Sequence, residues 1–510
     1  MDYQVNQEEF ILKEMVLDES KEQPVDVDFN LPDYCKDVQR ILKCYVVPKI
    51  SNYNVTTNSL EIEGVANINV LYSSASSATI NLGEHSMPFT CSFALNNEKN
   101  GEVFSIKTRV LYINCRAVSS RRLDIHGAFC IDVRAFAKKQ CEIVYDVEGD
   151  NIEQKKVISK MSDVEGMGTS QFSIEENIEL PSSITETVTI LYTDIIASNT
   201  DCKALDGKVV LKGNVSVKLL YVSDSETGEL KTTDYSVALS QVINVEGATS
   251  ESVYETNLEI LNYDVFEDAE SETPSLVLQV NFLANAVAYK NKETALVADL
   301  YSTEYELETV RSKVSLTKFQ GNINGVHSNK VVIETNEEVL SKVIDIWNDI
   351  ISITTQNEEN QVLFKIKMNI CIIYINNEEK FSYNEKIIEF DCKESLDKSF
   401  SKVSFDTQAE TTSLAYRIFD ENKVEIKIEN KIITYIYEHL IYNAVTDITI
   451  DKEKPKKKDS AALVVYYADA KENIFDIARK HNTSLEVIKT QNNLQDDILK
   501  EDAVLLIPVI

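Results

Sequence analysis

The chain repeats itself, and no other feature of its sequence constrains the fold as strongly. Leu31-Pro32 is followed by Gly64-Val65-Ala66-Asn67-Ile68-Asn69-Val70-Leu71-Tyr72, and Leu180-Pro181 by Gly213-Asn214-Val215-Ser216-Val217-Lys218-Leu219-Leu220-Tyr221. Both landmarks, the Leu-Pro pair and the closing Leu-Tyr, are displaced by the same 149 residues. A third, diverged copy runs Phe364-Lys365-Ile366-Lys367-Met368-Asn369-Ile370-Cys371-Ile372-Ile373-Tyr374, its Tyr lying 153 residues beyond Tyr221. It has Ile366 in place of the glycine and no Leu-Pro pair. Val46-Val47, Ile195-Ile196 and Ile350-Ile351 precede the three copies at similar places. At about 100–200 residues per domain, 510 residues therefore divide into three related units and a remainder.

Each copy alternates with period two, the pattern of a strand with one buried face. Ile62, Ala66, Ile68, Val70 and Tyr72 fall on one side and Glu61, Glu63, Asn67 and Asn69 on the other. Val215, Val217, Leu219 and Tyr221 do the same in the second copy, as do Phe364, Ile366, Met368, Ile370, Ile372 and Tyr374 in the third. One-faced alternation favours antiparallel pairing, so the predicted fold is mainly β, with three repeated antiparallel β-sandwich-like units. With only 13 Gly and 8 Pro, turns fall to Asn, Asp and Ser, as at Asn376-Asn377. Val38, Ile41 and Leu42 are spaced for a short helix over Asp33–Leu42. Polar composition marks 151–163 and 311–324 as joints between units and 408–412 as a loop. The units are then 1–150, 164–310 and 325–450, followed by a charged, Pro-containing tether at 451–460 and a small module at 461–510.

Lys and Arg number 51 against 83 Asp and Glu, a net charge of −32. Such a surface argues against duplex nucleic acid, whose affinity for proteins comes from clustered cations, and against docking on anionic lipid by bulk charge. The module at 461–510 carries five cations and eight anions, so nearly all the excess acid precedes it. No run approaches the roughly 18 apolar residues of a membrane span, and Met1–Phe10 lacks a cationic end followed by an apolar core. The expected compartment is the cytosol. Nine scattered cysteines without a Cys-x-x-Cys pair are read as reduced thiols.

The module reads strand, helix, helix, strand: Leu463–Ala468 is β-like, Ile474, Ile477 and Ala478 recur at helical spacing, Leu485 and Ile488 repeat it, and Val504–Pro508 closes. Ser484 stands where the second helix would be capped. Tyr466 and Tyr467 alternate, so one is expected in the core and the other outside, while Ile477 and Leu505 are expected in the core. Tyr466-x-Ala468, Ile474-x-x-Ile477-Ala478, Asn492, Leu499-x-x-Asp502 and Leu505-Leu506-Ile507-Pro508 resemble the LysM domain. That resemblance implies a βααβ fold and a shallow groove between the loop after the first strand and the loop after the second helix. In that family the groove usually binds N-acetylglucosamine glycans such as peptidoglycan, largely through backbone groups. Lys471, Glu472, Asn473, Asn492, Asn493 and Leu494 flank the corresponding loops and are the candidate partner-binding residues. The family's usual Gly-Asp-Thr turn is here Lys471-Glu472-Asn473 and a later turn glycine is Asp502, which places side chains where a sugar would approach.

Three units, two of them with a Leu-Pro pair and a Gly-started strand ending in Leu-Tyr and the third diverged, followed by a LysM-like module, resemble the SPOCS family of spore-coat morphogenetic proteins. The resemblance implies a non-enzymatic scaffold of endospore coat assembly, in the mother-cell cytoplasm at the forespore surface. It further implies that the LysM-like module binds the coat-basement ATPase of sporulation stage four, with other coat proteins as further partners. The alternative is a peptidoglycan-binding protein of the spore cortex or cell wall.

The residues themselves offer no competing chemistry. No phosphate-binding Gly-rich loop ends in Gly-Lys-Ser/Thr, and no Gly-x-Ser-x-Gly elbow occurs. The five histidines, 85, 126, 327, 439 and 481, are isolated from one another and from cysteine pairs, so no metal and no cofactor is expected. Ser119-Ser120-Arg121-Arg122 reads as an exposed hairpin or as a contact for an acidic partner. The only tryptophan, Trp347, reads as a core or inter-unit contact or as a partly exposed hot spot.

Overall fold

The computed structural model describes residues 3–75, 77–95, 101–149, 151–181, 184, 188–224, 228–268, 274–335, 339–456 and 462–508. Six strands recur three times in the same order. The first set is β1 (Gln4–Asn30), β2 (Arg40–Val55), β3 (Ser59–Ser74), β4 (Ser77–Ala94), β5 (Glu102–Ala117) and β6 (Arg122–Glu148). The second is β7 (Ile152–Glu179), β8 (Thr189–Leu205), β9 (Lys208–Asp224), β10 (Glu229–Asn244), β11 (Val253–Glu267) and β12 (Ser275–Ser302). The third is β13 (Tyr305–Glu334), β14 (Leu340–Glu358), β15 (Gln361–Asn376), β16 (Phe381–Ser395), β17 (Val403–Asp420) and β18 (Lys423–Pro455). In every set the second to fourth strands form an antiparallel meander, and the first, sixth and fifth form a second three-stranded sheet, as in β1-β6-β5. One apolar cluster per set draws residues from both of its sheets.

The repeated segments are the centre strands β3, β9 and β15, and their alternation is realised side chain by side chain. Ile62, Ala66, Ile68, Val70 and Tyr72 are fully buried in the first cluster; Val215, Val217, Leu219 and Tyr221 lie in the second; Phe364 to Tyr374 fill the third in the same alternation. The closing tyrosines occupy one cross-strand position: Ile41 faces Tyr72, Ile190 faces Tyr221, and Val343 faces Tyr374. The glycines have a steric cause. A Cβ on Gly64 would meet the Lys49 carbonyl oxygen at 2.3 Å, and one on Gly213 the Ser198 carbonyl oxygen at 2.5 Å. Both sit beside a register shift in the neighbouring strand, after Ile50 and after Asn199. In the third set that shift falls earlier, between Ile350 and Ser352, and the position accepts buried Ile366.

The outer faces of the meanders are not left to water. Leu42, Leu71 and Ile80, Leu191, Leu220 and Val222, and Trp347, Cys371 and Ile373 form a cluster to which all three sets contribute. Trp347 is its centre, 2% exposed and packed on Tyr192 at 4.5 Å, so the inter-unit reading of this residue holds. β4 lies against β8, β10 against β14 and β16 against β2, so the sets follow one another around a pseudo-threefold axis. The Lys43–Glu385 ion pair at 2.6 Å and the Arg134–Asp406 pair at 2.8 Å join the first set to the third.

Several local expectations are corrected. Residues 152–163 and 311–324 are not joints but strand, within β7 and β13. Their polar composition is that of one face of the long ribbons β1/β6, β7/β12 and β13/β18, whose other faces meet in shared clusters such as Phe10, Ile143, Met161, Leu296, Leu316 and Ala444. The chain instead reverses next to Asn151, in a left-handed conformation with φ 68°, whose carbonyl accepts a hydrogen bond from the Thr303 N–H at 2.8 Å. Residues 408–412 are not a loop either: they lie in β17, where the Gln408 amide donates to Asn257 Oδ1 of the second set at 2.8 Å. Asp33–Leu42 forms no helix. Arg121, from the β5–β6 turn, donates to the carbonyls of Leu31, Pro32 and Cys35 and pairs with Asp37, which fixes the stretch before β2 as a turn, and 40–42 open β2. Arg122 likewise pairs with Asp28, so this positive hairpin is engaged within the chain. Asp451–Pro455 continues β18, with Pro455 opposite Tyr305; 457–460 of the expected tether, and 461 of the module, lie outside the described residues.

Candidate functional site: the C-terminal module

Residues 462–508 form β19 (Leu463–Ala468), α1 (Ile474–Lys480), α2 (Leu485–Asn492) and β20 (Ala503–Pro508), with β19 and β20 antiparallel. Ala468, Ile474, Phe475, Ile477, Ala478, Ile488, Leu499, Leu505 and Ile507 make its core, which includes both residues expected there, Ile477 and Leu505. Tyr466 packs against this core and Tyr467 is exposed, the division that alternation requires. Ser484 precedes α2 but makes no capping bond with its side chain; Asn473 caps α1, its Oδ1 accepting from the Phe475 N–H at 2.9 Å.

The candidate residues divide between internal work and exposure. Lys471 has φ 72° and an exposed side chain, so a lysine holds the left-handed turn for which glycine is the unstrained choice. Glu472 accepts from the Tyr466 hydroxyl at 3.1 Å and the Asp469 N–H at 3.0 Å, and this bond pushes the Tyr466 phenol up from its ordinary pKa. The loop containing Lys471, Glu472 and Asn473 is zipped to the following loop: Lys471 N–H to Leu499 O at 2.8 Å, Leu499 N–H to Glu472 O at 3.0 Å, and Ile474 N–H to Asp497 O at 2.9 Å. Asn492 ties α2 to β20, donating to Ile488 O and Leu506 O, each at 2.8 Å, and accepting from Leu506 N–H at 2.7 Å. Asn493, with φ 53°, terminates α2 and is exposed, and Leu494 packs against the core. Six backbone groups of 471–474 and 497–499 that line these loops are thus spent on one another.

The module is seated on the rest of the chain. The Tyr301 hydroxyl, at the end of β12, donates to Thr483 O at 2.8 Å, and its ring meets Phe475 edge-on at 5.1 Å. Arg479 pairs with Asp299 at 2.7 Å, and the Leu485 N–H reaches Glu153 at 3.4 Å. Sequence reasoning passed over Tyr301, Asp299 and Glu153, because one aromatic and two acids in long, acid-rich strands carry no pattern. Among the described residues no three His, Cys, Asp or Glu side chains are grouped to hold a metal ion, and no helix is long and apolar enough to cross a membrane.

A family model described as SipL, SPOCS domain, matches the chain twice, over residues 37–118 and 188–266. The two stretches run over β2 to β5 and β8 to β11, the same four strands of the first and second sets. No curated protein and no solved structure matches the chain.

Proposed function

Taking the chain as a SipL-like SPOCS-domain protein, we propose that it is a non-enzymatic scaffold of bacterial endospore coat assembly. Three SPOCS-like units, each a β-sandwich of two three-stranded sheets, form the scaffold over 1–150, 151–303 and 304–456. The module at 462–508 is a LysM domain that binds the coat-basement ATPase. In this reading the protein works by holding partners in place, in the mother-cell cytoplasm at the forespore surface.

The recurrence of the SPOCS match in two strand sets that share one topology carries the sporulation reading. The loops of the module favour a protein partner over a glycan. Their backbone groups pair across the two loops, and the Asn473 and Asn492 side chains cap α1 and bind β20. A sugar recognised through backbone groups would have to compete with those bonds. The test is a pair of titrations on the full-length chain, one with purified coat-basement ATPase and one with purified cortex peptidoglycan. Saturable binding to the ATPase alone is expected. Saturable co-sedimentation with peptidoglycan and none with the ATPase would replace this function by glycan binding.

A further inference from the structure

The strand β19 is apolar on both faces, whereas a two-stranded ribbon with one solvated face should alternate apolar with polar. Val464, Tyr466 and Ala468 point into the module with Leu505 and Ile507 of β20. Leu463, Val465 and Tyr467 point the other way and are 45, 51 and 79% exposed. Val504, the cross-strand partner of Tyr467, is 58% exposed beside them. The seat on the scaffold does not use this side: it is made by Phe475, Arg479, Thr483 and Leu485, from α1 and the start of α2.

The stripe has a charged end. Ala468 pairs with Ala503, so Asp469 follows Tyr467 on one strand while Glu501 and Asp502 precede Val504 on the other. All three acids are exposed, and none is in an ion pair among the described residues. Large exposed apolar side chains set together on an edge ribbon mark a contact surface, and a tyrosine, here beside the charged end, is a common anchor.

We infer that the outer face of the β19/β20 ribbon, rather than the loop pair, is where the module takes its protein partner, through an apolar patch bordered at one end by Lys or Arg. This rests on the function proposed above and names the surface that performs it. Charge selects among occupants. A second copy would bring together two chains of net charge −32, and an anionic lipid surface would meet the same repulsion. A cationic border on the partner turns Asp469, Glu501 and Asp502 into steering groups.

The test titrates purified coat-basement ATPase into three full-length proteins: unaltered, Val465→Thr with Tyr467→Thr, and Asp469→Asn with Glu501→Gln and Asp502→Asn. Thr keeps strand propensity, and a circular-dichroism melt on each variant checks that the module is intact. The first variant is expected to bind at least tenfold more weakly with an unchanged melt. The second is expected to associate more slowly and to lose most of the salt dependence of the association rate. A loop variant, Asn493→Gly, is expected to bind as the unaltered chain does. Undiminished binding by the Val465/Tyr467 variant overturns the assignment while leaving the proposed function standing. Failure of the unaltered chain to bind overturns both. Sedimentation of the unaltered chain as a dimer that the Val465/Tyr467 variant abolishes would give the face to a second copy and also overturn the assignment.

Discussion

Tyr301→Ala should release the C-terminal module from the scaffold without unfolding the scaffold. Tyr301 is 3% exposed at the end of β12; its backbone pairs with Glu153 of β7, while its hydroxyl bond and its ring contact are to the module. Burying a ring of this size contributes about 2 kcal/mol, its hydrogen bond to Thr483 O about 1 kcal/mol, and its edge-on contact with Phe475 about 1 kcal/mol. The loss is then about 4 kcal/mol, roughly a thousandfold change in the ratio of seated to released module at about 1.4 kcal/mol per tenfold. Arg479–Asp299, more exposed, replaces little of this. Hydrogen exchange of the α1 amides reads the change directly, since Phe475 loses its cover and α1 its support. Faster exchange confined to 474–485 is expected, with the ladder of β7 and β12 unchanged. Tyr301→Phe should give an intermediate effect, losing the hydroxyl bond but keeping the ring. Exchange in α1 identical to that of the unaltered chain would show that the seat contributes nothing and refute the reasoning.

Three further outcomes follow from named contacts. Lys471→Gly should stabilise the module by about 1 kcal/mol by relieving a left-handed lysine, read as a higher melting temperature. Trp347→Ala, at the meeting point of all three strand sets, should cost about 3–5 kcal/mol and split the denaturant transition of the scaffold. Burial, reinforced by Asp349, pushes the carboxyl of Asp194 from 3.8 up to about 6, against the opposing pull of Lys218. The folded chain therefore holds this proton more tightly than the unfolded one does. The group is destabilising above about pH 6, and that penalty fades as the pH falls toward 4, with a ceiling of about 3 kcal/mol. Because Asp194 keeps partial solvent contact, about 1–2 kcal/mol is expected: Asp194→Asn should be more stable than the unaltered chain at pH 7 and should lose that advantage near pH 4. Equal stability at pH 7 would contradict it.

The centre strands were legible because a period-two pattern with a fixed displacement needs no knowledge of partners: Ile62 to Tyr72 and Phe364 to Tyr374 announce their buried face locally. Other elements are decided by partners distant in sequence. Residues 151–163 and 311–324 look like joints because half of each long ribbon faces water, and their other half is buried only by ribbons distant in sequence, as Met161 is by Phe10 and Leu316. Val38, Ile41 and Leu42 have helical spacing, yet Val38 belongs to the core of the first set and Leu42 to the shared inter-unit cluster. Arg121 settles that segment from 84 positions away. In the module, the core and the Tyr466/Tyr467 division followed from alternation. The work of Asn473 and Asn492 did not, because an asparagine that caps a helix or bridges to a strand looks the same in sequence as one that waits for a ligand.

The most direct measurement compares capture of purified coat-basement ATPase by the full-length chain and by a chain truncated after Lys456, which keeps β18 whole and removes the module. Circular dichroism should report the same β-sheet scaffold in both. The full-length chain should retain the ATPase and the truncated chain should not. Equal retention by the two chains would place the partner site on the strand sets and contradict the central claim.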